Sequence, residues 1–435
     1  MGEGKQKLFS IDDFYAGLEA SAAQFSTLQL LNEQGEVVQP ELLPDLSDEE
    51  LLELMKQLVF CRIFDEESIS YSQQARLGFY APSRGQEAAQ AASHFAFERE
   101  DWLYGSYRDI PQLILHGASV ADAYLWSLGH VEGSQFAQKK GVKAMIPQII
   151  IGAQMVQAQG NALGQKLKGE PQVTFTYIGD GGTSQGDTYE AMNFAGRYQS
   201  PIIFFFQNNG YAISTPVEIQ TKAQTLAQKA IAAGIPSLRV DGNDPLAVYL
   251  ASHVAREHAV NGGGPVVIEM LTQRMEPHST MGDDPLRYRT QESLDEWELR
   301  DPIDRFSHYL TEKGLLTDDL FQEFVAEAKA KIQAGMEEAE AVEPMTLEES
   351  LQWTFGPGLP EEGFKESAEM PEKITAEAET DTTDESSPET WEENQAKEEA
   401  TAPEASKAEA EGGDTGATVE ETPEHDEETH GKGQA

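Results

Sequence analysis

Residues 173–209 constrain this chain more than any other stretch. Val173 to Ile178 is a β-branched and aromatic run that suits a buried strand. It runs into Gly179-Asp180-Gly181, which is followed by 26 residues and then Asn208-Asn209. Between them, Asp187 to Arg197 carries Tyr189, Met192, Asn193, Ala195 and Gly196 at helical spacing, and Pro201 to Phe206 reads as a second buried strand. Strand, glycine turn, helix, strand is a parallel crossover unit. Such units bind ligands at the carboxyl ends of their strands. Asp180 and Asn209 are therefore expected at one sheet edge.

The chemistry of these residues narrows the reading. Glycines let a backbone turn sharply and approach a phosphate. Asp180 offers an anionic hard oxygen and Asn209 a neutral one, and Mg²⁺ favours a few such ligands together with phosphate oxygens. The stretch reads as a divalent-metal clamp on a diphosphate. A dinucleotide-binding turn fits less well, because Ser184 stands where a third glycine belongs and no acidic residue closes the next strand. An ordinary glycine turn in an α/β sheet is the plainest alternative.

Charge excludes some functions. The chain has 435 residues and a formal net charge of −45. Residues 357–435 alone hold 25 Asp and Glu against 5 Lys. A basic nucleic-acid surface is not expected. Cys61 is the single cysteine, so no internal disulfide forms, and its apolar helical setting suggests an inert thiol. No apolar signal core follows Met1, and no run approaches membrane-spanning length, so a cytoplasmic protein is expected.

Three regions follow: an N-terminal extension over 1–46, an α/β domain over 47–345, and a linker with an acidic disordered tail over 346–435. Residues 11–25 read as a short amphipathic helix, and residues 27–39 as a strand and turn around Gly35. Ser47-x-x-Glu50 is a capping-box signature for a long helix ending near Gly78. Trp102 to Tyr104 resembles a short strand. Tyr107 then offers a ring and a hydroxyl, and Arg108 a forked cation matched to phosphate, although such a pair is often only surface. His130 lies in a polar loop and is a weak candidate for approaching a substrate. Residues 153–168 form a helix rich in small residues, and residues 221–233 read as another helix. Strands at Leu238 to Asp241 and Pro265 to Leu271 continue the alternation of a doubly wound, mostly parallel sheet. Residues 272–290 form a polar loop in which His278 suits proton handling. Beyond Gly356 the composition is too poor in apolar residues to build a core.

Several stretches carry a wider resemblance. They are Gly78-Phe79-Tyr80, Gly85-Gln86-Glu87-Ala88, Tyr107-Arg108-Asp109, Ile149 to Gln154, the glycine–asparagine core, Arg239 to Gly242, Pro277-His278-Ser279, Asp284-Pro285 and Tyr288-Arg289-Thr290. Over about residues 25–345 the chain resembles alpha subunits of the thiamine-diphosphate-dependent 2-oxo acid dehydrogenase family, with the thiamine diphosphate-binding fold. The resemblance implies oxidative decarboxylation of pyruvate and transfer of the acetyl group to the lipoyl arm of an acyltransferase. Branched-chain 2-oxo acids or acetoin are the alternative substrates. It implies Mg²⁺ held by Asp180, Asn209 and the Tyr211 carbonyl, and thiamine diphosphate met by Tyr107, Arg108, the Ile151 backbone, Gly179, Asp180, Gly181, Gly182, Asn209, Tyr211 and His278. A catalytic role falls on His278. It further implies an α2β2 assembly in which a separate beta subunit supplies the glutamate that activates the aminopyrimidine. Ser279 matches a serine that eukaryotic members phosphorylate, while a later serine of that kind is replaced by Arg287. A nicotinamide oxidoreductase and a non-catalytic regulatory subunit are the other classes weighed.

Overall fold

The computed structural model describes residue 21 and residues 25–346 and 349–350. Its centre is a six-stranded sheet in the order β1-β7-β8-β4-β3-β2. These strands are β1 (Thr27–Leu28), β2 (Trp102–Tyr104), β3 (Thr174–Gly179), β4 (Ile202–Asn208), β7 (Ser237–Asp241) and β8 (Val266–Leu271). Every pairing in the sheet is parallel. A small antiparallel hairpin, β5 (Tyr211–Ala212) with β6 (Thr215–Pro216), follows β4. The expected α/β doubly wound sheet is present.

β3 and β4 are almost continuously buried because both of their faces are covered. Side chains still alternate between two layers. Phe175, Tyr177, Ile203 and Phe205 face one core with the helices Asp48–Gln73, Glu87–Phe95 and Pro245–His258. Ile178, Ile202, Phe204 and Phe206 face the other, with the helices Ala153–Lys168 and Gly186–Tyr198. In the first layer Tyr177 stacks on Phe205 at 4.7 Å and Phe97 on Phe175 at 4.0 Å. Offset ring stacking adds to the burial itself. Cys61 is buried there as a free thiol.

Local chemistry explains the element ends. Ser47 and Glu50 exchange hydrogen bonds in the expected capping box. The long helix stops at Gln73, short of Gly78, because Ala75 turns left-handed (φ 58°) and the Arg76 and Leu77 amides fold back to the Tyr71 carbonyl. The expected helix over 221–233 is replaced by a 3₁₀ segment, Ala227–Ala233. The cause is side-chain competition for its backbone: Thr221 Oγ1 takes the Ala223 amide, and Thr225 and Gln228 bond each other's amides. The helix expected over 11–25 and the tail expected over 346–435 lie almost entirely outside the described residues. Among the described residues, no helix is long and apolar enough to cross a membrane.

One buried carboxylate joins the early chain to the sheet. Asp244 accepts the amides of Leu30 and Leu31 at 2.6 and 2.7 Å, and also caps the helix Pro245–His258 through Leu246 and Ala247. Burial pushes its carboxyl up to about 6. Asp244→Ala would orphan four amides and lower stability by about 3 kcal/mol. Hydrogen exchange should then accelerate at Leu30 and Leu31; unchanged protection there would show that the tie is dispensable.

Candidate active site

The parallel register sets Gly179 opposite Gln207, so Asp180 and Asn209 leave the sheet side by side at its carboxyl edge. After Asp180 the chain makes a 3₁₀ turn, Gly181–Ser184, in which Thr183 bonds the Asp180 carbonyl through both its amide and its hydroxyl. A Cβ on Gly181 would lie 2.5 Å from the Ala212 Cβ, and one on Gly182 would lie 2.4 Å from Ile178 Cγ1. Only glycine fits both positions. Lys229 braces the turn from below, donating to the Thr183 carbonyl, Thr183 Oγ1 and Ser184 Oγ at 2.8 to 3.1 Å. Burial lowers its ammonium to about 8.

A cleft of about 470 Å³ opens over this turn. Tyr107, Arg108, Ile151, Gly179, Asp180, Gly181, Gly182, Asn209, Tyr211 and His278 all line it. His130 does not. Its ring instead accepts the Glu132 amide and meets the Glu343 carbonyl. A larger hollow of about 790 Å³ lies over the ends of β7 and β8 but contains neither Asp180 nor the glycines.

Asp180 is the one acid among the cleft's lining residues. Burial raises its carboxyl, against the pull of a 2.6 Å bond from Gln220. Asn209 gives its Nδ2 to Gln86 and takes the Tyr211 amide on Oδ1. Among the described residues, no group of three His, Cys, Asp or Glu could hold a metal by itself. The donor set here is one carboxylate with neutral oxygens. That suits a hard cation sharing its shell with phosphate.

The other wall is cationic. Arg108 donates to the Pro82 carbonyl, to the His278 carbonyl and to His278 Nδ1. A guanidinium only donates, so Nδ1 is the bare nitrogen and Nε2 carries the proton. Arg274 spans three groups, the carbonyls of Tyr211 (3.2 Å) and Ile213 (2.6 Å) and the Tyr288 hydroxyl (2.9 Å). Ile213 sits at φ 56°, a conformation costly for a β-branched residue and common at functional sites. Asp283 fixes the loop by accepting the His278 amide and the Tyr288 hydroxyl. Arg289 closes it by donating to the carbonyls of Arg274, Met275 and Glu276.

Sequence reasoning did not single out Gln207, Arg274 and Ile213. Gln207 carried a signal, an amide that joins Asn208 and Asn209 in ending an otherwise apolar strand. Arg274 and Ile213 carried none, because their roles arise from contacts about sixty residues apart.

Comparisons with known proteins place the chain in a family. The family model described as the dehydrogenase E1 component matches residues 55–348. A protein of Bacillus cereus named pyruvate dehydrogenase E1 component subunit alpha is 54% identical over 336 residues, covering 77% of this chain and 89% of that protein. Proteins of the same name from Staphylococcus epidermidis and Staphylococcus aureus are 53% and 52% identical over 330 residues, each covering 76% of this chain and 89% of the relative.

His278 is lowered from 6.5 to about 4, first by burial and then by Arg108 and Arg274. The folded protein therefore binds this proton less tightly than the unfolded chain. The stability that depends on its neutral ring is complete above about pH 6.5 and is lost as pH falls towards 4. Imidazole NMR of the cofactor-free protein should show His278 neutral at pH 5.5 and its midpoint rising in Arg108→Gln. A midpoint near 6.5 in the unaltered protein would contradict this electrostatic picture.

Proposed function

Since the chain belongs to the dehydrogenase E1 component family, we propose that it is the alpha subunit of a pyruvate dehydrogenase first component. The reaction is oxidative decarboxylation of pyruvate, with the acetyl group passed to a lipoyl arm on an acyltransferase. One observation carries the reading: Asp180 and Asn209 leave adjacent parallel strands into a glycine-floored cleft whose far wall is Arg108 and His278.

Thiamine diphosphate, when bound, supplies the carbon nucleophile and the electron sink that decarboxylation needs. The chain's own residues supply the rest. Gly181 and Gly182 pack too closely on Ala212 and Ile178 for any Cβ, which keeps the turn tight, and its backbone would meet a diphosphate. Asp180, Asn209 and the Tyr211 carbonyl would hold Mg²⁺ against it. Arg108 and Tyr107 would steady its oxygens. His278, neutral with its proton on Nε2, would donate a hydrogen bond to substrate or move a proton during acyl transfer. The cleft's apolar members, Ile149, Ile151 and Ile213, would keep water from the reacting end.

A beta subunit completes the reading. The cleft lining holds no glutamate that could activate the aminopyrimidine. Ile149 and Ile150 stand 61% and 72% exposed beside the mouth. Gly160 and Gly164 have open space beyond their backbone on the helix Ala153–Lys168. Apolar residues clustered at a half-built site suit a partner's surface. An α2β2 assembly fits these features.

The test is co-expression with the neighbouring beta chain, followed by titration of thiamine diphosphate with and without Mg²⁺. Binding should need the metal. Pyruvate-dependent dye reduction should fall by more than about 100-fold in Asp180→Ala. Metal-independent binding, or turnover by the alpha chain alone, would overturn the reading.

A further inference from the structure

Behind Asn209 runs a chain of buried side-chain amides that ends on a carboxylate. Asn209 Nδ2 donates to Gln86 Oε1 at 2.9 Å, Gln86 Nε2 to Gln207 Oε1 at 2.8 Å, and Gln207 Nε2 to Asp109 Oδ1 at 2.6 Å. All four residues are at least 96% buried. They come from four places in the sequence: the loop before the helix Glu87–Phe95, the loop after β2, the end of β4, and the residue beyond it.

The direction of this chain is not free. An amide presents an oxygen at one end and an NH₂ at the other, and the two differ little in shape. An ionised carboxylate only accepts. Burial raises the Asp109 carboxyl, but every group aimed at it is a donor, the Ser106 amide and hydroxyl on Oδ2 and the Gln207 and Gln90 amides on Oδ1, so both oxygens act as acceptors. Gln207 must then turn its nitrogen to Asp109 and its oxygen to Gln86. Gln86 must turn its nitrogen to Gln207 and its oxygen to Asn209. Asn209 is left with its nitrogen inward and its oxygen at the other end, where it takes the Tyr211 amide. A reversal at any link would set two NH₂ groups or two oxygens face to face in a dry site, which is costly.

We infer that Asp109, Gln207 and Gln86 form a polarised relay whose task is to present the oxygen, not the nitrogen, of Asn209 to the cation. The three are positioning residues. They act on the metal through Asn209, although Gln86 and Gln207 also reach the cleft wall. The inference rests on the reading of the cleft as a metal–diphosphate site and deepens it. The polarity of this one ligand is set from both sides, by the Tyr211 amide on its oxygen and by Asp109 three hydrogen bonds behind its nitrogen.

The test uses the complex of this chain with its beta partner, with Mn²⁺ as probe and thiamine diphosphate present. Free Mn²⁺ is followed by electron paramagnetic resonance. Asp109→Asn can donate as well as accept, so it removes the polarity while keeping the shape. It should weaken Mn²⁺ binding about 10- to 100-fold, as outer-sphere changes at metal sites do. Gln86→Met cuts the relay at another link and should cost a similar factor. The double variant should be no weaker than the worse single, because both act through one path. Gln112→Leu, equally buried beside Gln90 but outside the relay, should stay within about twofold. Additive losses, or equal losses in the Gln112 variant, would reduce the relay to ordinary packing. Should Asp109→Asn not assemble, Gln86→Met against Gln112→Leu decides the matter. If the unaltered complex takes up no Mn²⁺ with cofactor, or Asp180→Ala changes nothing, the reading of the site fails and the relay with it. Uptake lost in Asp180→Ala but retained in both relay variants would overturn the relay alone.

Discussion

The pairing of β3 with β4 is the constraint on which the rest depends. Two parallel strands, buried on both faces, must end at the same edge of the sheet. Their register fixes which residues emerge there. Gly179 opposite Gln207 places a carboxylate and a carboxamide next to each other without any loop having to bring them together. A slip of one residue would turn Asp180 into the core and exchange the two aromatic layers. The layers resist this, because Tyr177 and Phe205 stack as one block. Core packing and the placing of Asp180 and Asn209 are thus consequences of one register.

The loops around that edge are held by charge more than by apolar contact. Asp65 takes the Tyr80 hydroxyl and the Ser83 and Arg84 amides, which fixes the segment that carries Gln86. Arg62 bridges Glu87 and Asp301, tying that segment to a helix more than two hundred residues later. Arg289 holds three carbonyls of the histidine-bearing loop. Buried groups of this kind cost desolvation and are weak sources of net stability, but losing one partner strands the other. They specify where the loops sit, and an apolar core of the same size would not.

Much of this was legible in the sequence. The run of apolar residues at 173–178 and 201–206 named the two central strands, and the glycine–asparagine spacing placed both site residues at one edge. The residues expected around the cofactor line one cleft, and His130, a weak catalytic candidate, lies outside it. His130 misled because a histidine in a polar loop looks the same whether the loop folds towards the cleft or, as here, towards Glu343. The helix expected over 221–233 failed because helical spacing is blind to Thr and Gln side chains that capture the backbone first. Arg274 was invisible for a different reason. Its partners, Tyr211 and Ile213, lie on another strand's loop, and no local pattern encodes that meeting. Local periodicity reports strands and helices; it does not report which loops converge.

The cationic wall of the cleft has a kinetic consequence. The chain carries a net charge of −45, so a small anion such as a 2-oxo acid meets a repelling field over most of its approach. Arg108 and Arg274 set two fixed positive charges beside a single carboxylate in a low-dielectric hollow. The mouth is then a local inversion of the surrounding potential, and field lines from a repelling surface converge on it. At physiological ionic strength the repulsion reaches only about 8 Å into solvent. Added salt quiets the body before it quiets the buried guanidinium pair. Access for anions should therefore fall as salt is diluted, the opposite of the usual behaviour of an electrostatically steered site.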